Sequence, residues 1–332
     1  MPDPSLWVLV AIIILALGFG IVNGFNDAAN AIATAIGSKA MSPRKAVIIA
    51  AVFNMLGAAT GTAVAQTIGK GVLSADAISY QTIIASLAAV IIWTSLATYL
   101  GFPVSLTHGY IAALAMAGIA AVGSNAINWS VLVTVAAAVV TAPVLGFIGG
   151  FVIMIALLWI FRKSLPSKMR TVFSNLQFPS TAFIAYSHGK NDGQMPIGII
   201  TMAVVFFTRE ATLWDNIPWW IIIISALSIS LGTAVGGWRV IKTLGMRITT
   251  LRPVHGFAAQ TAAASVIEIA SHFGIPVSTT HCVSTSIMGV GATRRLSAVR
   301  WGLAGNIITA WIITFPVCGV LGYLFSWLWG LF

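Results

Sequence analysis

Asp27, Asp192 and Glu268 are acidic residues embedded in apolar stretches of the chain. A carboxylate surrounded by hydrocarbon is expensive to keep ionised, and one retained there marks an ion or proton path. Asp27 stands in the string Asn26-Asp27-Ala28-Ala29-Asn30 and Asp192 directly follows Asn191. Glycines lie close to both, at 18, 20 and 24 and at 189, 193 and 198, and glycine permits a helix to open. Carboxylate, amide and freed carbonyl oxygens together make a hard-cation site suited to Na⁺ or to a proton relay. Asp27, Asn30, Asp192, Asn26 and Asn191 are therefore the candidate coupling-cation ligands. The alternative is that each Asp caps a broken helix, since Asp and Asn are good N-caps. Glu268 has no cation near it in sequence, and Ser265, Ser271 and His272 could bury it by hydrogen bonding. The other acidic residues, Asp3, Asp76, Glu210 and Asp215, fall in tails or loops.

A second pattern suits an anion. Pro103-Val104-Ser105-Leu106-Thr107-His108 recurs as Pro276-Val277-Ser278-Thr279-Thr280-His281. Proline favours the first turn of a helix, where hydroxyls join free backbone N–H groups at the positive end of the helix dipole. Ser105, Thr107, Ser278, Thr279 and Thr280 are thus candidate donors in a neutral cage for a tetrahedral oxyanion, the competing reading being ordinary N-caps. His108 and His281 end the strings and could take up protons near neutral pH or hold a neighbouring carbonyl. Lys190 could pair with Asp192, touch an anion's oxygen or snorkel to an interface.

Membrane helices must position these residues. Of 332 residues 58% are hydrophobic and 7% charged, against roughly 25% charged in soluble domains. A spanning helix needs about 20 apolar residues, and such runs cover 6–37 (interrupted near Asn23 to Asn30), 44–66, 80–101, 103–122, 128–161, 179–207, 217–237, 254–273, 275–292 and 301–330. Basic clusters at Lys39/Arg44/Lys45, Arg162/Lys163/Lys168/Arg170, Arg239/Lys242/Arg247/Arg252 and Arg294/Arg295/Arg300 all fall on the cytoplasmic side if nearly every segment crosses once. Both termini then lie outside. The formal charge of +10 is explained by these clusters, so no nucleic-acid partner is expected.

The two Asn-Asp pairs precede the two Pro-Val-Ser strings at similar spacing, 76 residues (103 − 27) and 84 residues (276 − 192). This recurrence is the mark of an internal duplication. Five segments per half, an odd number, insert the second half upside down relative to the first. The expected fold is all-α and polytopic: two inverted repeats, 1–165 and 166–332, each of about five transmembrane or re-entrant helices, with broken helices at the midplane. Runs such as Gly57-Ala58-Ala59 and Gly146 to Gly150 suit close helix packing, and Trp7, Trp129, Trp214, Trp219, Trp220, Trp301, Trp327 and Trp329 suit an interfacial belt. Cys282 and Cys318 have neither disulfide nor zinc spacing. The first apolar run lacks a basic leader and reads as a retained helix.

On Gly24-Phe25-Asn26-Asp27-Ala28-Ala29-Asn30-Ala31, Ser187-His188-Gly189-Lys190-Asn191-Asp192-Gly193-Gln194, Gly256-Phe257-Ala258-Ala259-Gln260 and the two Pro-Val-Ser strings, the chain resembles the inorganic phosphate transporter (PiT) family, in its short prokaryotic branch. The resemblance spans both halves. It implies a cell-membrane symporter that imports phosphate with H⁺ or Na⁺, needs no cofactor, and lines its site with the Asn-Asp and Pro-Val-Ser segments. Lys190 and Gln194 would then touch phosphate. Members similar to this branch can also carry phosphate as a neutral complex with a divalent metal, and a homodimer in lipid fits. Asn54 and Gln260 stand where the family often has Glu, which makes them secondary candidates beside His108 and His281 and favours protons over Na⁺. Met195 replaces the Asn expected opposite Asn30, with Gln194 as substitute.

Sulfate is the nearest rival cargo. Phosphate carries protons at neutral pH and sulfate does not, so acceptors such as Asp27 and Asp192 favour phosphate. The chain lacks HExxH, paired-cysteine and nucleophile-elbow motifs, so an intramembrane enzyme is not expected. A passive anion channel gains nothing from fixed negative charge along its pore.

Overall fold

The protein, a computed structural model, is described over residues 5–331, and Asp3 lies outside them. The first half contains α1 (Leu6–Gly37), α2 (Pro43–Ala58), α3 (Ala63–Gln66) running into a π-turn (Thr67–Gly71), α4 (Tyr80–Leu100), α5 (Leu106–Val122) and α6 (Trp129–Ile160). The second contains α7 (Pro166–Asp192), α8 (Gln194–Thr208), α9 (Trp219–Val235), α10 (Trp238–Lys242) running into a π-turn (Thr243–Arg247), α11 (Pro253–His272), α12 (Thr279–Ala292) and α13 (Trp301–Trp329). Among the described residues the only β pairing is an isolated bridge, Leu73 with Ile127.

Two expectations are corrected here. Helix α1 runs unbroken through Asn23 to Asn30, so no unwound carbonyls are available there and Asp27 caps nothing. The breaks lie elsewhere: α2 and α3 meet at 65° and α9 and α10 at 61°. Nor, among the described residues, is nearly every apolar segment a helix long and apolar enough to span by itself. By length and composition, α1, α4, α6 and α13 could span alone, and the two bent pairs raise the total to at most six.

Segments 103–122 and 275–292 instead form the return arms of hairpins. Helix α4 stops at Gly101, which takes the left-handed conformation (φ 81°), and α5 starts four residues after Phe102, at Leu106, and packs back along α4. Gly274 (φ 68°) turns α11 into α12 in the same way. Thr243 Oγ1 on the second bent pair donates to the carbonyl of Gly101 at 3.1 Å, and Thr67 Oγ1 on the first donates to that of Gly274 at 2.7 Å. Each hairpin tip is thus held by the other half.

Packing is reciprocal as well. Helix α5 lies against α13 and α12 against α6, while α2 lies against α7 and α1 against α9. Small residues make these approaches possible. A Cβ on Gly57 would sit 2.0 Å from the Tyr186 carbonyl, and one on Gly189 2.0 Å from that of Asn54. Neither backbone can yield within a helix. Gly189→Val is therefore expected to prevent α2 and α7 from docking, since even modest overpacking costs about 1–3 kcal/mol. Little monodisperse protein should be recovered after detergent extraction, measured by size-exclusion chromatography against the wild type.

Buried apolar side chains form two large clusters. On α1 the buried members of the first end at Phe19 and those of the second begin at Ala29. Asn23, Asn26 and Asp27 fall in the gap between them, all buried. The outer faces of α6 and α13 show Val133, Val140, Ile148, Ile308 and Ile312 to the surroundings, as lipid contact requires. Most of the expected belt tryptophans are exposed, but Trp214 is buried over Gly69. Both cysteines are free and buried.

Candidate functional site

Helices α1 and α7 bring Asp27 and Asp192 together, and the N-termini of α5 and α12 close over them. The hydroxyls do this crosswise. Thr280 Oγ1 of the second hairpin donates to Asp27 Oδ1 at 2.9 Å, and Thr107 Oγ1 of the first donates to Asp192 Oδ1 at 3.0 Å. Thr279 Oγ1 adds a bond to Asp192 Oδ2 at 2.7 Å. Asn30 Nδ2 donates to Thr279 and Thr280 at 3.2 and 2.9 Å, which fixes both hydroxyls. Every member is buried. Unpaired polar groups would be costly here, so the hairpin tips are held by the residues they cover.

His188 completes the group. It lies one helical turn before Asp192, with Nε2 at 3.1 Å from Asp192 Oδ2 and 3.8 Å from Asp27 Oδ2. Its Nδ1 is 2.9 Å from Asn54 Oδ1, while Asn54 Nδ2 donates to Thr233 Oγ1 at 2.6 Å. Both ring nitrogens thus face oxygen acceptors, the pattern that a doubly protonated ring satisfies. One ligand atom from each of Asp27, His188 and Asp192 lies within 4.8 Å of the others. Two carboxylates this close in a dry site repel each other strongly, and a cation between or beside them relieves that.

Not every candidate joins the group. Ser105 and Ser278 cap their helices, accepting from the backbone N–H groups of His108 and His281 at 3.3 and 3.2 Å, so the capping reading holds for the serines. Asn26 Nδ2 donates to Thr98 Oγ1. Asn191 does join it, donating through Nδ2 to Asp192 Oδ1 at 2.6 Å, and it also holds the tip of the second hairpin, giving to Val277 O at 2.7 Å and accepting from Val277 N and Ser271 Oγ at 3.3 and 3.4 Å. Gln194 Oε1 accepts from the N–H groups of Val64 and Ala65, capping α3. Lys190 does not reach Asp192; it is ion-paired with Glu268 across the α7–α11 contact, which also gives Glu268 the cation that its own sequence neighbourhood lacked. Ser265 bonds its own helix instead. Gln260 ties α11 to Ser180, Thr181 and the Ala31 carbonyl. His108 and His281 stand 5.2 Å apart, stacked on Phe315 and Trp311, behind the threonines that touch the carboxylates. Asp192 caps nothing, for α8 follows α7 after Gly193 alone.

A profile of the phosphate transporter family matches residues 23–171 and 161–322. This chain belongs to that family. It is 40% identical over 322 residues to the "probable low-affinity inorganic phosphate transporter" of Bacillus subtilis (strain 168), covering 96% of each chain. The protein of the same description in Rhizobium meliloti (strain 1021) is 40% identical over 318 residues, 95% of each. Among solved structures, one titled "The sodium-dependent phosphate transporter" superposes with a TM-score of 0.87 at 27% identity, over 98% of this chain and 100% of that one. Family membership makes the protein a multi-pass membrane transport protein, not an enzyme.

His188 is the residue of this transporter's site that motif reading passed over. Its signal is the spacing: positions 188 and 192 share one helix face, and the equivalent step back from Asp27 reaches Asn23, a buried residue with neither amide atom hydrogen-bonded among the described residues.

Proposed function

We propose that the protein is a secondary active symporter that imports inorganic phosphate together with a cation through the cell membrane. The observation that carries this is the crosswise grip of the hairpin hydroxyls on Asp27 and Asp192. Loading a cation neutralises the carboxylates and releases Thr107, Thr279 and Thr280 to donate to a phosphate oxyanion instead. Phosphate is thereby admitted only after the cation, which is what coupling requires.

The coupling ion on this reading is Na⁺. The amide oxygens of Asn23, Asn26 and Asn30 share the α1 face of Asp27 and accept no hydrogen bond among the described residues. Oxygen atoms lacking donors suit a hard cation, and the structural neighbour is named for sodium dependence. This departs from the proton preference that Asn54 and Gln260 suggested. The second reading, a proton, is favoured by His188 lying within reach of both carboxylates.

The two halves, 1–165 and 166–332, act as inverted repeats on this proposal. Support comes from matched contacts: each Asn-Asp asparagine bonds a hydroxyl five residues before the hairpin proline, Asn26 with Thr98 and Asn191 with Ser271. Rocking of one half against the other would expose the site alternately to the two sides.

Uptake of labelled phosphate into proteoliposomes, with Na⁺ and pH gradients imposed separately and sulfate as competitor, tests the assignment. Accumulation driven by inward Na⁺ alone is expected. Accumulation driven by a pH gradient alone moves the coupling to protons, and sulfate accumulation without phosphate uptake overturns the cargo.

A further inference from the structure

The Lys190–Glu268 pair lies outside the carboxylate site, yet on its threshold. Lys190 and Gln194 flank Asp192 on either side in sequence, and with Thr60, Ser271 and His272 they line a cavity of about 270 Å³. Its Ser271 touches Asn191, and its Gln194 holds the start of α3. The other sizeable cavities are lined almost wholly by apolar side chains on the outer faces. This one alone among them joins a cation to the hydrogen-bonded floor of the site.

The pair is also built to open. Lys190 is 16% exposed and Glu268 28%, so water can replace either partner and separation costs far less than in a dry core. Among the described residues Lys190 uses one of its three N–H donors, and Glu268 Oε2 has no hydrogen-bond partner although the atom is buried. A carboxylate this incompletely satisfied holds the ammonium in competition with any stronger anion. Phosphate, with two charges and several acceptor oxygens, is a stronger partner for a lysine.

We infer that Lys190 forms an outer phosphate-capture site in this cavity, occupied by the Glu268 carboxylate when empty and exchanged for phosphate on the way to Asp27 and Asp192. The inference rests on the phosphate-symport reading and adds to it a docking step. Glu268 then serves as a tethered competitor that keeps weaker anions off the lysine. Gln194, one turn further on, lies between this cavity and the start of α3, so an anion leaving Lys190 passes the end of α7 next.

Initial uptake rates in proteoliposomes against phosphate concentration test it with three variants. Lys190→Met is expected to raise the half-saturating phosphate concentration about tenfold, the loss of one charge-assisted contact, and to lower the maximal rate far less. Glu268→Gln should lower the half-saturating concentration several-fold by freeing Lys190. The Lys190→Met/Glu268→Gln protein should behave like Lys190→Met alone. An unchanged half-saturating concentration in Lys190→Met overturns the capture site. So does recovery of the double variant to wild-type behaviour, which identifies a structural ion pair. Absence of phosphate uptake by the wild type would be a different failure, that of the symport reading itself.

Discussion

Asp27→Asn is expected to abolish coupled phosphate uptake, lowering the gradient-driven rate by about two to three orders of magnitude while leaving the protein folded. The size follows from Coulomb's law. A unit-charge pair about 4 Å apart at an effective dielectric of about 20 is worth about 4 kcal/mol, and each 1.4 kcal/mol is about a factor of ten. Asparagine keeps the shape and an oxygen able to accept from Thr280, whose bond to Asp27 Oδ1 is 2.9 Å. The fold should therefore tolerate the change, and thermal stability in detergent should stay near the wild type. What is lost is the charge that draws the cation among the orphaned amide oxygens of α1. Proteoliposome uptake with an imposed Na⁺ gradient measures the effect. Normal accumulation by Asp27→Asn would sink the assignment of the site.

His188→Ala should be nearly as damaging, by about a hundredfold, for a different reason. The imidazole spans Asp192, Asp27 and Asn54, and its removal leaves two buried carboxylates facing one another with only neutral hydroxyl and amide donors. Breaking a buried ion group by deleting one partner costs about 3–5 kcal/mol. The variant is expected to lose thermal stability along with transport, and both should partly return in His188→Gln, which restores one donor. Uptake by His188→Ala at the wild-type rate would show that the carboxylates do not need the ring.

Much of this could be read from residue types and spacing. The duplication was visible because Asn-Asp and Pro-Val-Ser-x-Thr-His recur in order, and both copies deliver side chains to the same place. The choice of Asp27 and Asp192 followed from the cost of charge in hydrocarbon. That logic depends on composition alone and so does not need the local geometry first assumed for it, which the structure does not have. Glycine near Asp27 suggested an opened helix, yet α1 continues. Gly24 serves close packing instead, with a Cβ there 2.1 Å from the Ile229 carbonyl. Sequence shows that a glycine is required, and not whether its use is a bend or a contact.

Hydropathy decided that the chain belongs in a membrane, because the cost of charge and the gain of apolar burial are summed over residues irrespective of their partners. It could not count crossings, since a helix of 17 residues such as α5 is equally apolar whether it spans or turns back. The turn is set by Gly101 and Gly274 and by hydroxyls 142 and 207 residues away. Likewise the partner of Lys190 lies on another helix, 78 residues distant. Glu268 read as unpaired within its own segment, and Lys190 as a partner for Asp192, for an anion or for the interface. The role of Gln194 as a cap, the selection of Thr107, Thr279 and Thr280 as carboxylate partners, and the recruitment of His188 all depend on which helix faces which, whereas Ser105 and Ser278 cap their own helices locally. Residue chemistry and spacing determined what this protein must bury and in what pairs, while the tertiary structure decided who faces whom, because an interaction of a few ångströms between distant segments leaves no periodicity in either one.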